Sequence, residues 1–245
     1  MYLALIGHQA PIESSFIKSL PDHMNAEIVN GTISNMHEAS QWLSYTFLFI
    51  RMRANPLVYG MNHDELYDDP QLDKKRRKLV EDAADTLDMA MMARYDARSG
   101  NLGTTDLGRI ASHYYIKHGS IAAFNTMLSA HLSHAEALHV VCSSAEFDNL
   151  KVRPEELGEL EALKRTVGMH KGAHAVKLSA DETAGKVGVL LTSYCKHERI
   201  QAFTLQSDSN YIAQNAGRIT RALFEVCLKR GWSSLARHYL ELSKG

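Results

Sequence analysis

Apolar residues recur at helical spacing through most of the chain, and β signals are few and short. After Pro11, which suits the first turn of a helix, Ile12, Phe16, Ile17 and Leu20 form a stripe that Pro21 is expected to end. Asn25 to Asn30 reads as a second short helix closed by Gly31, a residue that takes the left-handed C-cap position without a Cβ clash. Ser34 or Asn35 then caps a long helix with Trp42, Tyr45, Leu48, Phe49 and Met52 on its inner face. Asn55-Pro56 stops it, because proline disfavours helical backbone in the residue before it. An acidic, polar loop is expected from Asn62 to Pro70. Leu72, Leu79, Val80, Ala83 and Leu87 mark the next helix, with Lys74, Lys75, Arg77 and Lys78 on its outer face. Met92 to Thr104 reads as a hairpin turning at Ser99-Gly100-Asn101, residues that tolerate positive φ. Three helices and a small hairpin, in that order, make a winged-helix module.

From Thr105 onward the pattern is helical with short turns. Thr105-Asp106 opens one helix, Ser120, Ser133 and Ser144 stand near later starts or stops, and Pro154-Glu155-Glu156 opens another with carboxylates where the macrodipole favours them. Val167 to Gly185 is glycine-rich, histidine-bearing and aperiodic and reads as an exposed loop, after which Val187 to Cys195 opens a helix and Ser233 the last one. The most informative stretch is Tyr211 to Glu225. Ile212, Ile219, Leu223 and Val226, with Ala216, want a core, while Gln214, Arg218, Arg221 and Glu225 fall at i, i+4, i+7 and i+11 on another side. That donor-rich ridge is either an ordinary solvated face or a rail for a polyanion. No internal repeat of roughly 20 to 50 residues is visible.

With 245 residues, 45% of them hydrophobic, the chain can build a real core as one large domain or two ordinary ones. A net charge of -1 excludes a bulk polycation, so contact with nucleic acid has to come from a local patch. Cys142, Cys195 and Cys227 lie far apart among apolar neighbours, which suits reduced, buried thiols in the cytosol or nucleus. The apolar opening Met1 to Gly7 lacks a basic n-region and stops at His8, too short for a signal peptide, and no run approaches the roughly 20 apolar residues that cross a bilayer.

Three long passages stand in a fixed order: Arg51-Met-Arg-Ala-Asn-Pro-Leu-Val-Tyr-Gly, Thr105-Asp-Leu-Gly-Arg-Ile-Ala-Ser-His-Tyr-Tyr-Ile and Tyr211-Ile-Ala-Gln-Asn-Ala-Gly-Arg-Ile-Thr-Arg-Ala-Leu-Phe-Glu. With them the chain resembles the middle of a superkiller-like DExH helicase, of the two-cassette kind that includes the spliceosomal RNA helicase and the activating signal cointegrator helicase subunit. The likeness runs from about Ala10-Pro-Ile-Glu-Ser through Ser243, and the first passage is worded more like the cointegrator subunit. The resemblance implies a mainly α chain: residues 1–12 a remnant of a preceding motor domain (Tyr2 to Gln9 at most), 13–111 a winged helix, and 112–245 the N-terminal part of a helical-bundle, or ratchet, domain. It also implies single-stranded RNA or DNA and helicase motor domains or other subunits as partners, no membrane, and a nuclear or cytoplasmic location.

In that family a long ratchet helix touches the threaded strand. Carried onto this chain it covers roughly Asp208 to Arg230, with Gln214, Asn215, Arg218 and Arg221 as nucleic-acid-binding residues. The chemistry agrees, since arginine bonds phosphate oxygens and stacks on bases, and the amides offer both donor and acceptor. Gly217 leaves room for a strand or a neighbouring helix. Arg218 equally suits an ion pair with a motor domain, Asn215 an interhelical hydrogen bond and Gln214 plain surface.

A helicase motor also needs a phosphate-cradling G-x-x-x-x-G-K-[ST] loop and a DExH strand. Neither is in this sequence, and Gly185-Lys186 lacks the upstream glycine and the following hydroxyl. No catalytic residue and no cofactor is therefore assigned to this chain, and ATP and magnesium are expected in missing motor domains. Lys74 to Lys78 reads as a solvated face, a nucleic-acid patch or an import signal, and Arg51 and Arg53 as docking or capping cations at a helix end. His131/His134 and His170/His174 have helical spacing but no third ligand nearby, so no metal is expected. His113-Tyr114-Tyr115 reads as structural. Two other functions fit the pattern: a stand-alone protein-docking module, and a sequence-specific winged-helix DNA binder reading bases with the Leu72 to Leu87 helix.

Overall fold

The computed structural model describes residues 12–168 and 182–243 and divides the chain into two compact units, Met1–Arg109 and Ile110–Gly245. The expected motor remnant (save Ile12), His170, His174 and the middle of the expected loop after Val167 lie outside the described residues.

In the first unit α1 (Leu20–Asn30), α2 (Met36–Ser44), α3 (Phe47–Ala54), α4 (His63–Asp68) and α5 (Asp73–Met89) precede a hairpin of β1 (Ala93–Asp96) and β2 (Asn101–Thr104). The strands pair antiparallel with Ala93 opposite Thr104 and Asp96 opposite Asn101, and the turn between them ends on Gly100 at φ +72°. Ser34 and Asn35 extend the sheet: Leu102 N–H donates to Ser34 O at 2.8 Å and Met36 N–H to Gly100 O at 2.9 Å. The core is Leu20, Met24, Ile28, Ala39, Leu43, Leu48, Met52, Val80, Ala84 and Leu87, all buried. Helices followed by a wing, the order expected from the pattern, is what folds.

Three local readings are corrected. Pro21 stands in the first turn of α1 instead of ending a helix, because its missing N–H is one that a helix start leaves unbonded anyway. The single long helix expected from Asn35 to Asn55 is broken at Tyr45-Thr46, where the Thr46 hydroxyl accepts from Phe49 N–H and starts α3, and Tyr45 faces solvent instead of the core. The polar stretch after Asn62 forms α4 through a capping box, with the Asn62 N–H donating to Glu65 Oε1 at 3.1 Å. The Gly31 and Asn35 caps stand where expected.

The second unit holds α6 (Asp106–Tyr114), inside which the unit boundary falls, α7 (His118–Met127), α8 (His134–Cys142), α9 (Leu157–Thr166), α10 (Thr183–Cys195), α11 (Phe203–Lys229) and α12 (Ser233–Leu242). α11 packs against α10 and α12, and α8 packs on all three. Ile212, Ile219, Leu223 and Val226 are buried as the period requires, and each buried aliphatic contributes about 1.5–3 kcal/mol. The ridge-bearing helix is therefore the central element of its unit. One correction applies here too: α10 starts at Thr183, so Gly185 belongs to a helix and not to the end of a loop.

Candidate nucleic-acid interface on the long helix

At about 1.5 Å per residue, the 27 residues of α11 span about 40 Å. Its ridge faces the end of α6. Tyr115, just past that end, has φ +53°, and Ile116 N–H closes the terminus by donating to Ala111 O at 2.8 Å. A helix end leaves carbonyl oxygens without partners, and a cation is favoured there by the macrodipole. Arg218 fills that role: its Nη1 donates to Tyr114 O at 3.0 Å and to Tyr115 O. Its Nη2 donates to Asn215 Oδ1 at 2.7 Å, and Asn215 Nδ2 donates to Tyr211 O at 2.9 Å. Two turns past Arg218, Tyr114 Oη donates to Glu225 Oε1 at 2.7 Å, a bond that raises the Tyr114 pKa.

The four expected site residues thus share one face but stand in two states. Asn215 and Arg218 are half-buried and hydrogen-bonded, while Gln214 and Arg221 are exposed and make no hydrogen bond or ion pair among the described residues. The oxygens bonded to Arg218 are carbonyl and amide oxygens, which fix the plane of the guanidinium without cancelling its charge. Arg221, in contrast, carries its guanidinium in solvent. A Cβ at Gly217 would make an ordinary contact with Arg221 Nη2 at 3.7 Å, so the Arg221 side chain lies beside this position. Gly217 also lines an apolar pocket of about 310 Å³ with Ala213, Ala216, Leu191, Tyr194 and Cys195.

Lys186 is the opposite case. The side chain is fully buried, and its ammonium donates to Asp208 Oδ2 at 2.7 Å, to Glu156 Oε2 at 2.8 Å and to Lys151 O at 3.2 Å. Burial pushes the Glu156 carboxyl up, but hydrogen bonds from Lys186 and Thr204, the charge of Lys186 and the Arg153 N–H together more than reverse this and leave its pKa below the ordinary value. A lysine held this way has no donor to offer a phosphate. Sequence reasoning missed it because the charge and the flanking glycines hide the apolar face of α10.

In the first unit the passage Arg51 to Gly60 finds its purpose in Glu13. Arg51 grips that carboxylate with Nε at 3.2 Å and Nη2 at 2.8 Å, Asn55 Nδ2 donates to it at 2.9 Å and Tyr59 Oη at 2.8 Å. Those bonds, the one from Arg51 first, lower the Glu13 pKa to about 2. The spacing 51, 55, 59 was a visible signal; its target was not. Gly108, in the second passage, is set by close approach: a Cβ there would lie 2.0 Å from Met92 O, and Asn25 Nδ2 donates to Gly108 O at 2.9 Å. On α5, Lys74, Arg77 and Lys78 are exposed, whereas Arg76 is buried, bonding Ser40 O and Gln71 O and lying over the Phe49 ring.

Cys142 and Cys227 are buried, but Cys195 is exposed, which corrects the reading of three buried thiols: it ends α10, where the helix runs out of the core. His134 lies 3.4 Å from Glu241 and its ring 4.2 Å from that of His238, and no group of three metal-ligating side chains is present among the described residues.

Comparison with known proteins adds the following. The model of the Sec63 Brl domain matches residues 104–245, and that of a winged helix-turn-helix domain matches residues 13–89. The chain is 46% identical over 243 residues to the DExH-box ATP-dependent RNA helicase DExH14 of Arabidopsis thaliana. It is 44% identical to activating signal cointegrator 1 complex subunit 3 of Homo sapiens and 43% identical to the human U5 small nuclear ribonucleoprotein 200 kDa helicase, again over 243 residues. Each match covers 99% of this chain but 11% of the relative. Identities this close do not separate the cointegrator kind from the spliceosomal kind.

Proposed function

The chain belongs to the Sec63 Brl domain family, joined here to a winged helix as in helicases of the DExH type, and on that premise we propose that it is a helicase accessory part that guides an unpaired strand along α11. The observation that carries the reading is the charge of Arg218: a guanidinium fixed by neutral acceptors, beside the exposed Arg221. Such a ridge is sequence-tolerant, because it offers charge and flat faces instead of a pattern of base-edge donors. Single-stranded RNA or DNA is the ligand class. We assign ATP and magnesium to other domains of the longer protein, because the one Gly-Lys of this chain is sealed against Glu156 and Asp208. Its location would follow the relatives, nucleus or cytoplasm.

Docking onto other helicase domains or subunits is a second role, favoured by the more-than-half-exposed Phe47, Ile50, Leu57 and Val58 of the first unit. Fluorescence anisotropy with labelled single-stranded RNA and DNA at low salt tests the reading against an Arg218→Ala/Arg221→Ala variant. Binding that tolerates sequence and is lost in the variant is expected. Absent binding, or binding the variant retains, removes the strand-guiding role and leaves docking.

A further inference from the structure

Tyr115 is an exposed aromatic that the fold takes trouble to hold still. Its side chain is 81% exposed, and no ring, hydrogen bond or cation among the described residues meets it. Isolated exposed aromatics are ordinary on protein surfaces, but three features set this one apart. Its backbone is at φ +53°, a conformation that side-chain-bearing residues rarely adopt and that persists where the surroundings dictate it. Those surroundings are Ile116 N–H on Ala111 O at 2.8 Å on one side and Arg218 on the carbonyls of Tyr114 and Tyr115 on the other. The preceding ring, Tyr114, is committed elsewhere through its hydroxyl on Glu225. A ring standing in solvent on a backbone anchored by the un-neutralised Arg218 has the makeup of a single-strand site, a stacking surface next to a cation.

We propose that Tyr115 is a base-stacking platform, on which one unpaired nucleobase lies while its phosphate is met by Arg218 and Arg221. The inference rests on the strand-guiding reading of α11 and adds to it a residue outside that helix. Stacking on a ring uses the π-face that every base has, so the site takes RNA and DNA alike.

The test uses the 245-residue chain with fluorescein-labelled oligouridylate, oligodeoxythymidylate and an abasic oligomer of equal length. Tyr115→Asn removes the ring while keeping a residue that accepts positive φ, and Tyr115→Phe keeps the ring. With stacking worth about 1–3 kcal/mol per base, Tyr115→Asn is expected to weaken both base-bearing oligomers roughly 5- to 150-fold. Tyr115→Phe should bind as the parent does, and the abasic oligomer should not distinguish the variants. Unchanged binding in Tyr115→Asn, with binding still lost in the Arg218→Ala/Arg221→Ala variant, overturns the platform and leaves the ridge reading intact. Equal weakening by Tyr115→Asn and Tyr115→Phe, or equal loss on the abasic oligomer, shows a structural role and also overturns it. If the parent does not bind, or the double variant binds as well as the parent, the ridge reading fails and the platform with it.

Discussion

One cation is held against α11 and another is carried by it, and opposite kinds of acceptor hold them. Lys186 is wholly buried and faces two carboxylates, Glu156 and Asp208, so its charge is cancelled where it stands. Arg218 is half-buried and faces two backbone carbonyls and one amide oxygen, so its geometry is fixed while its charge survives. A buried ion pair answers to folding, because the desolvation of each charge has to be met by the other. A cation held by neutral dipoles at a helix end can serve the fold and still attract an anion from solution. Residue type does not decide this, since Arg51 is an arginine with a cancelled charge, clamped bidentate on Glu13.

The largest effect expected from breaking this contrast is on stability. Lys186→Met strips one of two cations from the buried Glu156, leaving Arg153 at 2.7 Å, and removes the partner of Asp208; it should cost about 3 kcal/mol, read by denaturant unfolding of the second unit. A loss under about 1 kcal/mol would mean that the triad is solvated and the contrast false. Next comes separation of the two ridge arginines. Arg218→Ala should lower stability by about 1.5–3 kcal/mol through the lost charged hydrogen bonds and weaken strand binding as well. Arg221→Ala should leave unfolding unchanged, weaken binding uniformly across sequences and reduce the salt slope by about 1. If Arg221→Ala unfolds the protein instead, the two have been given each other's roles.

The smallest effect is the control in the first unit. Because the folded Glu13 pKa of about 2 lies below the ordinary 4.5, the clip stabilises above 4.5, and that contribution is lost as pH falls from 4.5 towards 2. Trp42 fluorescence in a Trp232→Phe background should show the first unit weakening across that window, and Glu13→Gln should flatten the dependence. An unchanged slope in Glu13→Gln would assign the acid sensitivity to other carboxylates.

Much of this was legible in the chain, in proportion to how local the physics is. The hairpin at Gly100, the caps at Gly31 and Asn35 and the buried face of α11 follow from positive-φ tolerance, side-chain capping and helical period, all of which act within a few residues. The misread places are those where a distant partner outweighed local preference. The loop expected up to Gly185 hides the start of α10 and the burial of Lys186, because nothing near them in the chain shows Glu156 or Asp208. Pro21 reads as a stop after the stripe that precedes it, yet it fits the first turn of α1 equally well, where a missing N–H costs nothing.

The sequence by itself determined a mostly helical chain, a wing after its first helices, a two-faced long helix, and the absence of phosphate-loop chemistry from its wording. It placed Gln214, Arg218, Arg221 and Glu225 on one ridge, since helical period alone settles which residues share a face, while Asn215 came only from the family resemblance. Only the tertiary structure decided what that ridge meets. It set Arg218 against the carbonyls of Tyr114 and Tyr115, left Arg221 in solvent and sent Lys186 inward, because hydrogen-bond partners 22 to 104 residues apart are joined by packing and not by helical spacing.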